Sequence, residues 1–223
     1  MKSIPINNYP KEFATAFLHG ITFVTELRIT APSELDVLLK HAFFVEAGRG
    51  EQVLKAGTRG DRYFFLLYGQ LSVYADNTLE NTEVNRITAG QCFGALSIFC
   101  KTSRIASVSV SPDCSGALML SLDLSALGSL DNFSIFSLQT KLAMYRGVVN
   151  NTRWQLELYK MDYPAHVLSQ AASSIETFTG RSGTLDELMS LDRQVQQMTD
   201  IIMQWNTALS SEQGVAVVRA TWL

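Results

Sequence analysis

The stretch Gly90-Gln91-Cys92-Phe93-Gly94-Ala95-Leu96-Ser97-Ile98-Phe99-Cys100-Lys101-Thr102-Ser103-Arg104-Ile105-Ala106-Ser107-Val108 decides how this chain is read. Phe93-Gly94 ends a strand-like run, and Ala95 to Phe99 is apolar and long enough for one turn of helix. Ser103-Arg104 then sets a hydroxyl and a fixed positive charge ahead of the alternating run Ile105 to Val110. A glycine that frees backbone N–H groups, a short helix N-terminus and one arginine together make a cradle for phosphate. The guanidinium fork suits that task because it binds two phosphate oxygens at once. The same residues also describe an ordinary hairpin with a solvated arginine, so the preceding sequence has to decide.

Upstream, glycines recur at turn positions, at Gly50, Gly57, Gly60, Gly69, Gly90 and Gly94. Between them lie short strand-like runs: Ala42 to Val45, Gln52 to Leu54, Tyr63 to Tyr68, Gln70 to Tyr74 and Val84 to Ile87. This spacing argues for an all-β barrel or double-sheet roll. Gly50-Glu51-x5-Gly57, Gly60-Asp61-Arg62-Tyr63-Phe64-Phe65-Leu66-Leu67-x-Gly69-Gln70-Leu71-Ser72-Val73-Tyr74, Gly90-x2-Phe93-Gly94 and Arg104-x-Ala106-Ser107-Val108 resemble the cyclic-nucleotide-binding domain over roughly 33–128. The resemblance implies that Phe93, Gly94, Ala95, Ser103, Arg104 and Ile105 belong to its phosphate-binding cassette. The family's cassette reads Phe-Gly-Glu, with the glutamate on the ribose 2′-hydroxyl, whereas Ala95 stands at that position here. Losing a charge-assisted hydrogen bond costs about 1.5–3 kcal/mol, or roughly one to two decades of affinity. The expected effector is therefore an anionic small molecule other than ordinary cyclic AMP, or none.

The chain has 223 residues, 47% of them apolar, and a net charge of −3. That is enough for one large or two small cored domains, and the total charge points to neither nucleic acid nor an acidic membrane surface. No apolar run approaches the 18 or so residues of a membrane span, and Met1 to Pro10 lacks the order of a signal peptide. A cytoplasmic protein is expected. Cys92, Cys100 and Cys114 form no CxxC pair and fall short of a four-cysteine cluster, so they read as small buried hydrophobes. His19, His41 and His166 lie far apart in sequence. No cofactor or metal is expected.

Residues 11 to 40 look helical with a break at Ala31-Pro32, and Pro32-Ser33-Glu34 reads as a helix start. Beyond the roll, Ile135, Leu138, Leu142, Tyr145, Val149, Thr152, Leu156 and Tyr159 recur at alternating steps of three and four. That period predicts a long helix across 129–162, stopped by Tyr163-Pro164. Its two readings are a helix packed on its own roll and the seam of a homodimer, and the strict 3.5 period favours the dimer. In the resembled family the middle of this helix lies over the nucleotide base, a place that spacing assigns to Asn150 and Asn151. Asparagine offers a base edge both donor and acceptor.

Residues 163–223 are expected to form a further domain. A helix is predicted from Ala165 to Phe178, a capping box at Thr184-Leu185-Asp186-Glu187, and a short helix through Leu191. A second helix carrying Val195, Met198, Ile201, Ile202 and Trp205, then a strand-like tail from Val215 to Trp222, complete the order of a winged helix-turn-helix. The whole is identified as similar to regulators of the CRP/FNR type. The α+β architecture expected is a roll over 1–128, a long dimerisation helix, and a winged-helix-like domain. By that resemblance Arg193, Gln194, Gln196, Gln197 and Thr199 would read duplex DNA. Two departures stand against it. Asp192-Arg193 replaces the turn glycine, and residues 161–223 hold three arginines and no lysine against seven carboxylates, a net of −4.

No metal-spaced cluster, GxSxG elbow or P-loop supports an enzyme. The first reading is an effector-responsive, dimeric DNA-binding regulator. The second is a regulatory or interaction protein that binds no DNA, on the same scaffold with a degenerate pocket.

Overall fold

The computed structural model describes residues 1–75 and 83–213. The strands are β1 (Lys2–Pro5), β2 (Ala42–Gly48), β3 (Gln52–Leu54), β4 (Arg62–Tyr68), β5 (Gln70–Ala75), β6 (Glu83–Thr88), β7 (Cys92–Phe93), β8 (Ala106–Val110) and β9 (Gly116–Asp123). They make an antiparallel sandwich, with one sheet in the order β1-β2-β9-β4-β7 and the other in the order β3-β8-β5-β6. Side chains alternate across a strand, so β4 sends Phe64 and Leu66 into the roll and Tyr63 and Phe65 out to the helices. The first sheet is thus buried on both faces. Its outer face packs beneath α1 (Lys11–His19), α2 (Thr22–Thr30) and α3 (Pro32–Lys40), and beneath the long helix after the roll. The N-terminal helices break twice rather than once. Pro32 starts α3 as expected, and a second break falls at Gly20-Ile21, where Ile21 is extended.

The short helix α4 (Ala95–Phe99) stands where the cassette predicts it, followed by α5 (Leu138–Asp162), α6 (Val167–Ser173) and α7 (Leu185–Gln213). Three expectations need correction. The long helix begins at Leu138, where the Ser137 hydroxyl accepts the Thr140 N–H, so Ile135 precedes it and is exposed. Its seam is already covered: Leu142, Tyr145, Val149, Thr152, Leu156 and Tyr159 are buried within the single chain. Finally, residues 185–213 form one uninterrupted helix, with no turn at Asp192-Arg193. The physical reason is plain in the sequence, because this stretch contains neither glycine nor proline to break it. The expected wing at Val215 to Trp222 lies outside the described residues.

The partner of the α5 seam is α7. Leu188, Leu191, Val195, Met198, Ile202 and Trp205 are buried at alternating steps of three and four, a second seam matching the first. The helices run parallel. Tyr145 donates to Asp192 at 3.1 Å, Arg153 to Gln194 at 2.7 Å, and Tyr159 stacks on Trp205 with ring centroids 4.9 Å apart. A short loop would make them antiparallel, so residues 163–184, including α6, carry the chain back to the start of α5. One apolar core joins both helices to the outer face of the first sheet.

The start of α7 is fixed by charge. The Thr184 hydroxyl accepts the Glu187 N–H at 3.2 Å, half of the expected capping box. The Glu187 carboxylate reaches one residue further back, to the Gly183 N–H at 2.6 Å. It also takes two donors from Arg146 at 2.9 Å, and Arg146 bonds Glu26 of α2 at 3.0 Å. Burial opposes ionisation of Glu187, but the Gly183 amide, Arg146 and Ser182 outweigh it and hold the carboxyl below the usual range. A pKa lowered by folding stabilises above the unfolded value, about 4.3 for glutamate. That stability is lost as pH falls through the folded value. The urea midpoint should therefore drop on acidification below about pH 4. Glu187→Gln should flatten this acid limb while lowering the midpoint at neutral pH. An acid limb identical in the variant would remove Glu187 from the account.

Candidate functional site

Gly94 sits at φ +84°, a conformation that favours glycine, and opens α4. A Cβ there would lie 3.0 Å from both Arg104 Nη1 and the Arg62 carbonyl oxygen. Gly60 is required more sharply still, since its Cβ would fall 2.0 Å from Arg104 Nη2. Two glycines thus leave room for one guanidinium. The loop before β4 is pinned to the same place by backbone bonds, Gly57 N–H to the Arg104 carbonyl at 2.8 Å and Arg104 N–H to the Thr58 carbonyl at 2.9 Å.

Arg104 is 9% exposed. Its Nη2 donates to the Arg62 carbonyl at a long 3.4 Å, and Nη1 has no hydrogen-bond partner among the described residues. Burial lowers the guanidinium pKa, partly opposed by Asp61. An arginine remains charged even so. A buried cation with an unused donor is costly unless an anion joins it.

The space beside Arg104 is closed. A void of about 10 Å³ is lined by Leu96, Ser97, Thr102, Ser103, Arg104 and Ile105 from the cassette, and by Thr199 and Met203 from α7. That volume admits about one water, against the several hundred Å³ typical of a ligand site. α7 is bonded to the cassette as well as packed on it. Gln196 Nε2 donates to the Phe99 carbonyl at 2.9 Å, and the Cys100 thiol donates to the Thr199 hydroxyl at 3.2 Å. Burial pushes the Cys100 thiol up to about 11 and that of Cys92 up to about 12, so both stay protonated at neutral pH.

Residues 44–127 match the family described as the cyclic nucleotide-binding domain. Residues 44–127 are a cyclic nucleotide-binding domain. Among solved structures, cAMP-bound PfPKA-R is 20% identical and has a TM-score of 0.43, over 61% of this chain and 44% of that one. The cAMP-bound regulatory domain of Toxoplasma gondii PKA is 18% identical, with a TM-score of 0.42, over 55% of this chain and 48% of that one. The sensor domain of the transcriptional regulator DNR from Pseudomonas aeruginosa is 16% identical, with a TM-score of 0.41, over 52% of this chain and 74% of that one. The chain thus spans about half of each kinase regulatory structure. No curated protein matches it. No helix among the described residues is long and apolar enough to cross a membrane.

Within the cyclic nucleotide-binding domain, Ser103, Arg104 and Ile105 line one void, Gly94 lies against the Arg104 guanidinium, and Ala95 is the buried first residue of α4. Phe93 turns the other way and stacks on Phe64 inside the roll, centroids 5.1 Å apart. Asn150 and Asn151 are not brought to Arg104. They line a different cavity, on the helical face of the first sheet, where Asn151 Nδ2 donates to the Cys92 sulfur at 2.8 Å. Gln194, Gln196, Gln197, Thr199 and Arg193 do not share one exposed face. Gln194 and Thr199 are buried, Gln196 is held by Phe99, and only Arg193 and Gln197 are exposed. Sequence reasoning missed α7 as the cover of the cassette, because nothing in a heptad states which surface lies beside it.

Proposed function

We propose that this chain is a regulatory protein in which the cyclic-nucleotide-binding scaffold holds an anionic group at Arg104, with access governed by α7. The observation that carries this reading is Arg104 itself, a charged side chain nine-tenths buried, with an unused donor, beneath Thr199 and Met203. Ala95 stands where the family has its ribose acceptor, so a phosphate-like group is the favoured ligand rather than a whole cyclic nucleotide. An effector that prefers the uncovered cassette would shift α7 away by its differential affinity for the two states. The displaced helix would then offer its seam to another protein.

The DNA-binding regulator has less support. Its reading helix would need Gln194 and Thr199 at the surface, and the acidic balance of 161–223 works against phosphate contacts. A homodimer through the α5 seam would first have to displace α7.

Calorimetry with inorganic phosphate and cyclic AMP tests the proposal. The wild-type protein should bind neither at micromolar concentration. Gln196→Glu sets an acceptor against the Phe99 carbonyl, and Met203→Ala thins the cover. The double variant should gain phosphate binding by about tenfold or more. Adding Arg104→Gln should abolish that gain. No gain in the double variant, or a gain that survives Arg104→Gln, would refute the reading.

A further inference from the structure

A cavity of about 330 Å³ lies between α1, α2, the outer face of β4 and the middle of α5. It shares no lining residue with the void at Arg104. Its walls are apolar, with Phe17, Phe23, Phe65 and Met144 among them, and Phe23 and Phe65 are in ring contact at 5.3 Å. Three of its polar side chains, Tyr63, Cys92 and Asn151, converge, as polar groups do in small-molecule sites. The Tyr63 hydroxyl and the Cys92 thiol are hydrogen-bonded at 2.8 Å, and Asn151 donates to the same sulfur. Asn150, an exposed residue of α5, also lines the cavity, and its side-chain amide makes no hydrogen bond among the described residues, so it offers one donor and one acceptor group.

Two further observations define the occupant. The charges on the lining cancel: Glu26 bonds Arg146 at 3.0 Å, and the remaining Arg146 donors go to Glu187 and Ser182. A charged ligand would find no free counter-charge. The second observation is Gly147, which lines the cavity from the interior of α5. Glycine is unfavourable inside a helix. Neither a positive φ nor a tight contact demands it here, since a Cβ at 147 would meet nothing within 4 Å. Its effect is to keep the space open.

We propose that this cavity is a second ligand site, for a neutral aromatic molecule with one hydroxyl or amide-like group, packed between Phe17, Phe23 and Phe65 and hydrogen-bonded by Asn150. The inference stands without the Arg104 reading. The probe is 2-naphthol, with 2-naphthoate as its charged counterpart. Binding is followed in the full chain by the methyl resonance of Met144 and by equilibrium dialysis. 2-Naphthol should bind saturably, and 2-naphthoate about tenfold more weakly or worse. Gly147→Leu fills the space and should weaken 2-naphthol by at least about tenfold while the protein melts no earlier than wild type. Asn150→Ala, an exposed change that leaves the fold intact, should weaken it by about three- to tenfold. The site is overturned by any of three results: no saturable 2-naphthol binding below millimolar concentration, undiminished binding in both variants, or naphthoate binding as tightly.

Discussion

Replacing both Leu142 and Val149 with glutamate is expected to destroy the cooperative folded state of the helical half. Leu142 is 0% exposed and Val149 5%. Both sit in the seam that α5 shares with α7, among the apolar residues of one core. Each buried, unpaired charge costs several kcal/mol, against a total stability of about 5–15 kcal/mol for a protein of this kind. Two such charges consume most or all of it. Were the seam a dimer interface on an exposed helix, the same change would yield a well-folded monomer. The two cases separate cleanly in far-UV circular dichroism and a urea titration. A soluble variant with the wild-type transition would show that α7 does not cover α5.

Trp205→Ala carries the second large effect. The indole is fully buried, stacked on Tyr159 with an interplanar angle of 12° and flanked by His166 at 5.7 Å. Truncating a core tryptophan to alanine typically costs about 3–5 kcal/mol. With a slope of about 1–3 kcal/mol per molar urea, the midpoint should fall by one molar or more. Trp154→Ala is the control, because Trp154 is 58% exposed and a surface change is worth about 0.5 kcal/mol or less. Equal effects at the two tryptophans would place Trp205 outside the core. A lowered midpoint with α7 still seated on the cassette would show that the two ends of the helix are held independently.

The roll was legible because its signals are local. Glycine turns and alternating side chains mark β2 to β9, and Gly94, Ser103 and Arg104 lie close together. The capping threonine at 184 was legible for the same reason. What escaped was pairing at a distance. Ile135 continued the period of the seam but lies before α5, since the Ser137 cap, not the period, sets where the helix starts. The seam itself was real, yet a 3.5-residue period names no partner, and Leu188 to Trp205 carried an equal claim to it. Asp192-Arg193 was read as a turn on family grounds, although neither residue breaks a helix. Asn150 and Asn151 were placed by spacing along α5, but one chain spacing cannot say which face of a sheet a helix residue meets. Gln194 and Thr199 look like a reading face in a list of letters, and burial turned them inward.

The parallel pairing of α5 with α7 has a kinetic side. Residues 163–184 tether the two helices, so a released α7 still meets its own α5 at an effective concentration on the order of millimolar. Helix from another copy would have to reach that concentration to compete. Any opening of the cover would be a unimolecular event whose rate does not depend on how much protein is present, and a domain-swapped pair would accumulate only in very concentrated solution. A partner that captures α5 or α7 must outbid this tether, and the strength of its binding would be read against an internal competitor that is never diluted away.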